Sequence, residues 1–253
     1  MAAPSNTVWG DIVGDYCRIG ISVTLDTSAT KVNRHVEVWF WSKYSATDTA
    51  GNTFYYDCGT DITEAKTSKG SVSIKTTVNS GAGWSTSNQQ LLKEYDYEYS
   101  RGTSSVTYKI YAKLANTDIV SGSMLANTTF TIPALDKYTV SYDANGGSGE
   151  PKPQTKYYGI DLTLSTVVPT REGYKFLGWG PSPTETTVYK QPGDIYASNA
   201  NFTYYAVWEI MGVMRIKQNN AWKTGITWIK TKSGWKLGIP YKKINGVWKQ
   251  GGI

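Results

Sequence analysis

The chain has 253 residues, which suits two or three modest domains, and its hydrophobic content of 40% is enough for packed cores. Aromatic residues reach 13% while charged residues make up only 18%, a composition that favours half-buried sheet faces and binding or assembly over metabolism. The formal charge of +6 comes from the C-terminal end, since residues 211–253 hold nine Lys and Arg and no acidic residue. A basic segment of this kind suits binding to an acidic partner protein, an anionic polymer or nucleic acid.

The sequence shows no recognisable signal for export or for membrane insertion. The start, MAAPSNTVWG, has neither a basic region nor an apolar region, and no run of eighteen apolar residues occurs, so we expect no export signal and no membrane span.

Cys17 and Cys58 are too few for a disulfide scaffold. They either form one bridge or, as we favour, remain two buried thiols.

Residues 15–132 alternate between apolar and polar positions with a period of two, which is typical of half-buried strands. The runs are separated by loops rich in Ser, Thr, Gly and Asn, and only DITEAK has helical character. Short strands with regular turn signals predict a β-sandwich over residues 1–135. The first strand shows the pattern, because one face carries only Ile19, Ile21, Val23 and Leu25.

The strand VEVWFWS is the best candidate binding patch of this segment. Trp39 and Trp41 share a face with Glu37, opposite the apolar face, and two tryptophans on a polar face require an explanation. They either pack beneath a loop or a neighbouring subunit, or form a platform on which a sugar stacks. Trp84, in the loop SGAGWSTS, is the other exposed candidate.

This first segment resembles a β-sandwich found in tail and minor structural proteins of phages that infect Gram-positive bacteria. The resemblance rests on the series YCRIGISVTLD, VEVWFWSKYS, KEYDYEYSRGTSSVTYKIYAKL and TTFTIPAL. It implies a structural, non-enzymatic role in a virion.

Residues 137–209 resemble one full copy of the Listeria-Bacteroides repeat, the internalin B-repeat type. The resemblance implies a compact β-grasp-like module of extracellular or virion-surface proteins, used as a spacer or adhesive unit. Independently of it, Asn145-Gly146-Gly147 can form a tight turn after a strand, and the large aromatic residues are those a small core needs. The matching landmarks are YDANGG at 142–147, REGY at 171–174, Gly178-Trp179, Pro192-Gly193 and AVW at 206–208.

Residues 211–253 contain a 13-residue repeat, read as MRIKQNNAWKTGI, TWIKTKSGWKLGI and PYKKINGVWKQGG. Each copy predicts a hairpin with its turn at Asn219-Asn220, Ser233-Gly234 or Asn245-Gly246. Because a lone two-stranded hairpin is marginal in water, the three are expected to stack on one another or on neighbouring chains through a shared tryptophan face. The residues concerned are Trp222, Trp228, Trp235, Trp248, Lys223, Lys236 and Lys249.

Three interpretations of this tryptophan and lysine pattern remain open. We favour packing or subunit assembly, which the resemblance to short Trp-Gly hairpins at the ends of phage structural proteins also implies. Binding of a host cell-wall glycan or teichoic-type polymer comes second. Nucleic acid, which basic patches interleaved with aromatics can bind, comes last.

Catalysis is not predicted. His35 is the only histidine, which excludes multi-histidine metal sites and most histidine triads, and we place it at a strand edge. No phosphate-binding loop, dinucleotide fingerprint, CxxC pair or nucleophile elbow occurs. We therefore predict no catalytic residue, no metal and no cofactor.

The sequence as a whole predicts an all-β, non-enzymatic protein of a phage or prophage virion, in a tail or baseplate fibre or a receptor-binding component. A virion protein is made in the cytosol and reaches the outside by lysis, which fits a surface-type module without an export signal. The expected partners are other virion subunits, a homo-oligomer with a trimer favoured, and a host cell-wall polymer. A head fibre or capsid decoration protein and a bacterial cell-surface adhesin are the alternatives.

Overall fold

The computed structural model describes residues 2–48, 52–76, 83–115, 121–211, 213–238 and 241–250. Strands make up most of these residues, and the one helical element among them is a 3₁₀ turn at Thr86–Asn88. The all-β prediction is therefore confirmed. The chain divides into two compact units, Met1–Asp136 and Lys137–Ile253.

The first unit is built from two four-stranded antiparallel sheets and a short strand pair. Its strands among the described residues are β1 (Val8–Trp9), β2 (Cys17–Thr27), β3 (Lys31–Ser42), β4 (Ala46–Asp48), β5 (Thr53–Gly59), β6 (Ser68–Ser71), β7 (Ile74–Thr76), β8 (Gln89–Ser100), β9 (Val106–Ala115) and β10 (Met124–Ile132). The strands of one sheet lie in the order β1-β2-β3-β8, those of the other in the order β10-β9-β5-β6, and β4 pairs with β7.

One hydrophobic core lies between the two four-stranded sheets. Alternation along β2 and β3 turns Ile19, Ile21 and Val38 inward, where they meet apolar residues of β5, β9 and β10. The opposite positions of β2 and β3 therefore point to the outer face of the first sheet. The largest fully buried side chains of this core are Phe40, Phe54, Ile19, Ile21, Ile74, Ile110, Leu114 and Met124.

The two cysteines are free thiols. Cys17 is buried, and its Sγ donates to Ser42 Oγ at 3.5 Å. Cys58 is half-buried and accepts a hydrogen bond from Arg34 Nη1 at 2.8 Å. The structure therefore contains two thiols and no bridge, as we favoured, but only Cys17 is buried as expected.

The first part of the second unit is a mixed four-stranded sheet with a small additional strand pair. The strands are β11 (Lys137–Asp143), β12 (Gln154–Tyr157), β13 (Leu162–Thr163), β14 (Tyr174–Gly180), β15 (Ile195–Tyr196) and β16 (Phe202–Ile210). The sheet has the order β12-β11-β16-β14, and β13 pairs with β15. The first and last strands, β11 and β16, lie next to each other and run parallel, with Tyr142 opposite Tyr204.

Aromatic residues, among them the landmarks Tyr142 and Trp179, form the core of this module. Trp179 and Tyr204 are fully buried and pack with Val140 and Leu164. The predicted turn after β11 is present, and Asn145 adopts a φ of 47°, which asparagine and glycine tolerate best. Small cores need large apolar groups, so these rings stabilise the module itself.

Three separate two-stranded sheets follow. The turns at Asn219-Asn220 and Asn245-Gly246 are confirmed, and all four residues have positive φ. The middle turn is displaced by one residue, to Lys232-Ser233, because Gly234 already pairs with Thr231. The strands are β17 (Val213–Gln218), β18 (Ala221–Ile226), β19 (Trp228–Thr231), β20 (Gly234–Leu237), β21 (Tyr241–Ile244) and β22 (Val247–Gln250).

Candidate functional site

The outer face of the first sheet carries a cluster of tryptophans around one arginine. Strand register places Arg18 opposite Trp41 and Gly20 opposite Trp39 in the β2–β3 ladder. On the other side of β2, Trp9 is paired with Gly20. Directly opposed positions of antiparallel strands bring side chains on one face into contact, so this register builds the cluster.

Arg18 is held between three indole rings. Its Cζ lies 5.0 Å from the ring centroid of Trp9 and 4.6 Å from those of Trp41 and Trp84. Trp41 is in contact with both other rings, at centroid distances of 4.9 Å to Trp9 and 5.0 Å to Trp84. A guanidinium within about 6 Å of an indole face is attracted by the ring quadrupole, so three rings stabilise this cation.

A hydrogen bond fixes the loop tryptophan relative to the sheet. Trp41 Nε1 donates to the backbone oxygen of Ser85 at 2.8 Å, which anchors the segment that carries Trp84. The two candidates Trp41 and Trp84, far apart in sequence, therefore lie together. Lys43 Nζ also approaches the Trp84 ring, at 5.5 Å, and adds a second positive charge.

Trp39 does not belong to the accessible part of this face. Its side chain is 1% exposed, which agrees with the alternative in which Trp39 is covered by other residues and excludes it from a surface platform. Its Nε1 donates to Glu37 Oε2 at 3.1 Å, and Ser22 Oγ donates to the same oxygen. The polar end of the ring thus has its partner within the protein, as is usual for buried indoles.

His35 extends the polar row of β3. Its Nδ1 lies 2.7 Å from Asp96 Oδ1 on β8, and its Nε2 lies 3.6 Å from Glu37 Oε1. The hydrogen bond with Asp96 raises the pKa of His35 above its ordinary value. The expected position at a strand edge is wrong, because β3 is an interior strand, between β2 and β8, and His35 lies within it.

The C-terminal hairpins present their tryptophans to solvent. Trp228, Trp235 and Trp248 are 56%, 64% and 65% exposed, so the expected tryptophan face shared within the chain does not form for them. Lys223 and Lys236 are also exposed. The side chains of Trp222 and Lys249 lie outside the described part of the structure.

The hairpin repeat places a lysine opposite each repeated tryptophan. The cross-strand partners are Lys217 and Trp222, Lys230 and Trp235, and Lys243 and Trp248. In the second and third hairpins the ammonium nitrogen lies 5.9 Å from the ring centroid. The 13-residue interval therefore repeats a cation–aromatic pair, which the sequence pattern of Trp followed by Lys did not reveal.

Trp9 and Arg18 are the site residues that sequence reasoning missed. Strand β1 has only two residues, too short for any alternation to be detected. Arg18 occupies an ordinary outward position of an alternating strand, where a solvated charge is the usual expectation. Only the register of β1 and β2 brings the two together.

Within the described ranges, no group of three or more His, Cys, Asp or Glu side chains is placed to hold a metal ion. No helix among the described residues has the length and apolar character to cross a membrane.

The fold and the tryptophan surfaces define an all-β protein with exposed aromatic and basic patches. Comparison with known families identifies a Listeria-Bacteroides repeat domain at residues 138–207, within β11 to β16. This confirms the repeat-module part of the sequence resemblance.

Two curated relatives, both from Evansella cellulosilytica, match part of the chain. One, named "Putative membrane protein", is 34% identical over 76 residues, which is 30% of this chain and 11% of the relative. The other, named "Putative Gly-rich membrane protein", is 32% identical over 94 residues, or 37% of this chain and 10% of the relative. The chain thus matches about a tenth of the length of each. No solved structure matches it significantly.

Proposed function

We propose that this chain is a non-enzymatic attachment protein on the surface of a phage or prophage particle, in a tail or baseplate fibre. Its C-terminal hairpins are the contact region. The supporting observation is that Trp228, Trp235 and Trp248 remain more than half exposed in a segment without any acidic residue.

Physical considerations support a contact role for these hairpins. Each is an isolated two-stranded sheet, a structure that is marginal in water without further packing. Exposed indoles beside lysines offer a partner both apolar area and positive charge, the combination found at interfaces with acidic surfaces. Closure of three copies around an axis would cover the rings, which is why we favour a trimer.

A pair of variant sets in the full chain tests this function. Trp235→Ala with Trp248→Ala is expected to lower the oligomer mass measured by light scattering, or to weaken binding to Gram-positive cell walls at least tenfold. Lys223→Gln with Lys236→Gln and Lys249→Gln is expected to leave the oligomer intact and to weaken only the binding measured at low salt. Tyr97→Ala, at a ring 59% exposed in the other unit, is the matched control.

Two outcomes would reject the contact role. One is that the double tryptophan variant keeps both the oligomer mass and the cell-wall binding of the natural chain. The other is that Tyr97→Ala reduces them as much as the tail variants do, because a general loss of exposed aromatic area would then explain the result.

A bacterial cell-surface module is the second candidate, favoured by the names of the two Evansella relatives, which describe membrane proteins. Immunogold electron microscopy separates the two candidates. Label on intact particles supports the virion function and can also distinguish a tail fibre from a head fibre. Label confined to the bacterial envelope, with no particle, rejects it.

A further inference from the structure

The cation held by the three indoles has unused hydrogen-bonding capacity. Arg18 Nε is buried and has no partner in the described structure, and its guanidinium makes no hydrogen bond with any described residue. Burial lowers the pKa of Arg18 because the charged form loses water. The rings orient this cation without satisfying its N–H groups.

The other arginines whose side chains are described each donate at least one hydrogen bond within the protein. Arg101 donates to four backbone oxygens and to Asp136, and Arg34 donates to Cys58 and Tyr99. Arg171 stacks on Tyr174 but also donates to the backbone oxygen of Asn145. Arg34 Nε is also buried without a partner, and Arg34 also lies against aromatic rings, but its Nη1 is bonded. Arg18 is the one in this group whose guanidinium donates no hydrogen bond to a described residue.

We propose that Arg18 and its three tryptophans form a binding site for an acidic saccharide. The planar fork of a guanidinium matches a carboxylate or phosphate group with two parallel hydrogen bonds, and Lys43 next to Trp84 adds positive charge. An arriving anion would supply the partner that the buried Nε lacks. The inference concerns the first unit and does not depend on the C-terminal hairpins.

The rings select a sugar rather than a free anion. Trp9, Trp41 and Trp84 are each partly exposed beside the guanidinium, so a ligand bound there meets indole surface as well as charge. A pyranose offers C–H groups to such a surface, whereas acetate or inorganic phosphate offers too little apolar area. Binding sites of this kind combine a few polar groups with aromatic walls.

Titration of the full chain, with tryptophan indole resonances followed by NMR, tests the site. Methyl glucuronide or glycerol phosphate linked to a sugar is expected to shift the indole signals of Trp41 and Trp84 along a saturating curve. Methyl glucoside and acetate are expected to bind at least tenfold more weakly. The two anionic ligands separate a carboxylate source from a phosphate source of the same chemistry.

Arginine variants locate the binding. Arg18→Met is expected to weaken it at least tenfold, whereas Lys69→Met, which removes one charge from an exposed position on β6, is expected to leave it unchanged. Arg18→Lys keeps the charge without the planar fork, and we expect it to weaken binding several-fold. If the near-ultraviolet circular dichroism spectrum shows that the Arg18→Met chain is not natively folded, the Arg18→Lys chain serves as the test instead.

Several results would overturn the proposal. These are no saturable shift with either anionic sugar, equal affinity for acetate, or natural affinity in a folded Arg18→Met or Arg18→Lys chain. Binding that survives at Arg18→Met but disappears with Trp235→Ala and Trp248→Ala would place anion binding on the C-terminal hairpins. That outcome rejects this site while supporting the proposed function.

Discussion

The indole of Trp9 lies directly on Gly20. A Cβ atom at Gly20 would lie only 2.6 Å from Trp9 Cε3 and 2.8 Å from Thr7 Cγ2. Gly20 is paired with Trp9 on one side and Trp39 on the other, so its missing side chain is what lets the N-terminal strand bring a ring to the Arg18 cluster.

Gly20→Ala is therefore expected to displace Trp9 from β2. Overpacking of this kind costs about 1–3 kcal/mol, which urea unfolding followed by fluorescence will measure. Gly102→Ala is the control, because the nearest atom to its added Cβ is 3.9 Å away. Equal stability of the two variants would contradict the close approach.

The side chain of Arg101 stabilises the C-terminal end of the first unit through hydrogen bonds. Its side chain is 8% exposed and donates to the backbone oxygens of Ser28, Ala29 and Ala134. Arg101→Met leaves these acceptors without their donor, so we expect a loss of about 2–4 kcal/mol in the free energy of unfolding. Arg101→Lys should recover part of it, and a loss below about 0.5 kcal/mol for Arg101→Met would refute the role.

His35 makes stability dependent on pH. The hydrogen bond with Asp96, aided by Glu37, raises the folded-state pKa of His35 above its ordinary value of about 6.5. The stabilisation is therefore fully present below about pH 6.5 and is lost as the pH rises through the folded-state pKa. Because the His35 side chain is 39% exposed, solvent screening limits the effect to about 0.2–1 kcal/mol.

Unfolding measured between pH 5 and pH 9, with an NMR titration of the imidazole, checks this dependence. His35→Gln removes the only histidine and should flatten this part of the stability profile. An imidazole pKa at or below about 6.5 in the folded chain would show that the Asp96 contact does not hold in solution.

Lys156 is a buried cation of the repeat module, 1% exposed. Its Nζ donates to the Tyr157 backbone oxygen at 2.7 Å and to Asn199 Oδ1 at 3.0 Å, and the same Asn199 oxygen accepts from Gly159 N. Asn199→Ala leaves the ammonium one acceptor short, so we expect a cost of about 1–3 kcal/mol.

Lys156→Met should cost less than Asn199→Ala, because it removes the buried charge together with its need for partners. The double variant is then expected to be more stable than the sum of the single effects predicts, as a thermal unfolding cycle will show. Strict additivity would mean that the two side chains do not act together.

The sequence by itself determined the all-β class, the repeat module and two of the three hairpin turns. These features are local: alternation with a period of two defines a strand, and Asn-Asn or Asn-Gly supplies the positive φ that a tight turn needs. The landmarks of the central module are also contiguous segments, which is why they could be identified without any knowledge of pairing.

Tertiary structure alone decided which strands are neighbours and therefore which side chains meet. Alternation places Trp39 and Trp41 on one face but does not show that Trp39 is covered while Trp41 meets Arg18. The parallel pairing of β11 with β16 and the contact of Trp9 with Gly20 join residues distant along the chain. Period and composition carry no information on register, because a strand can pair with any partner whose buried face is complementary.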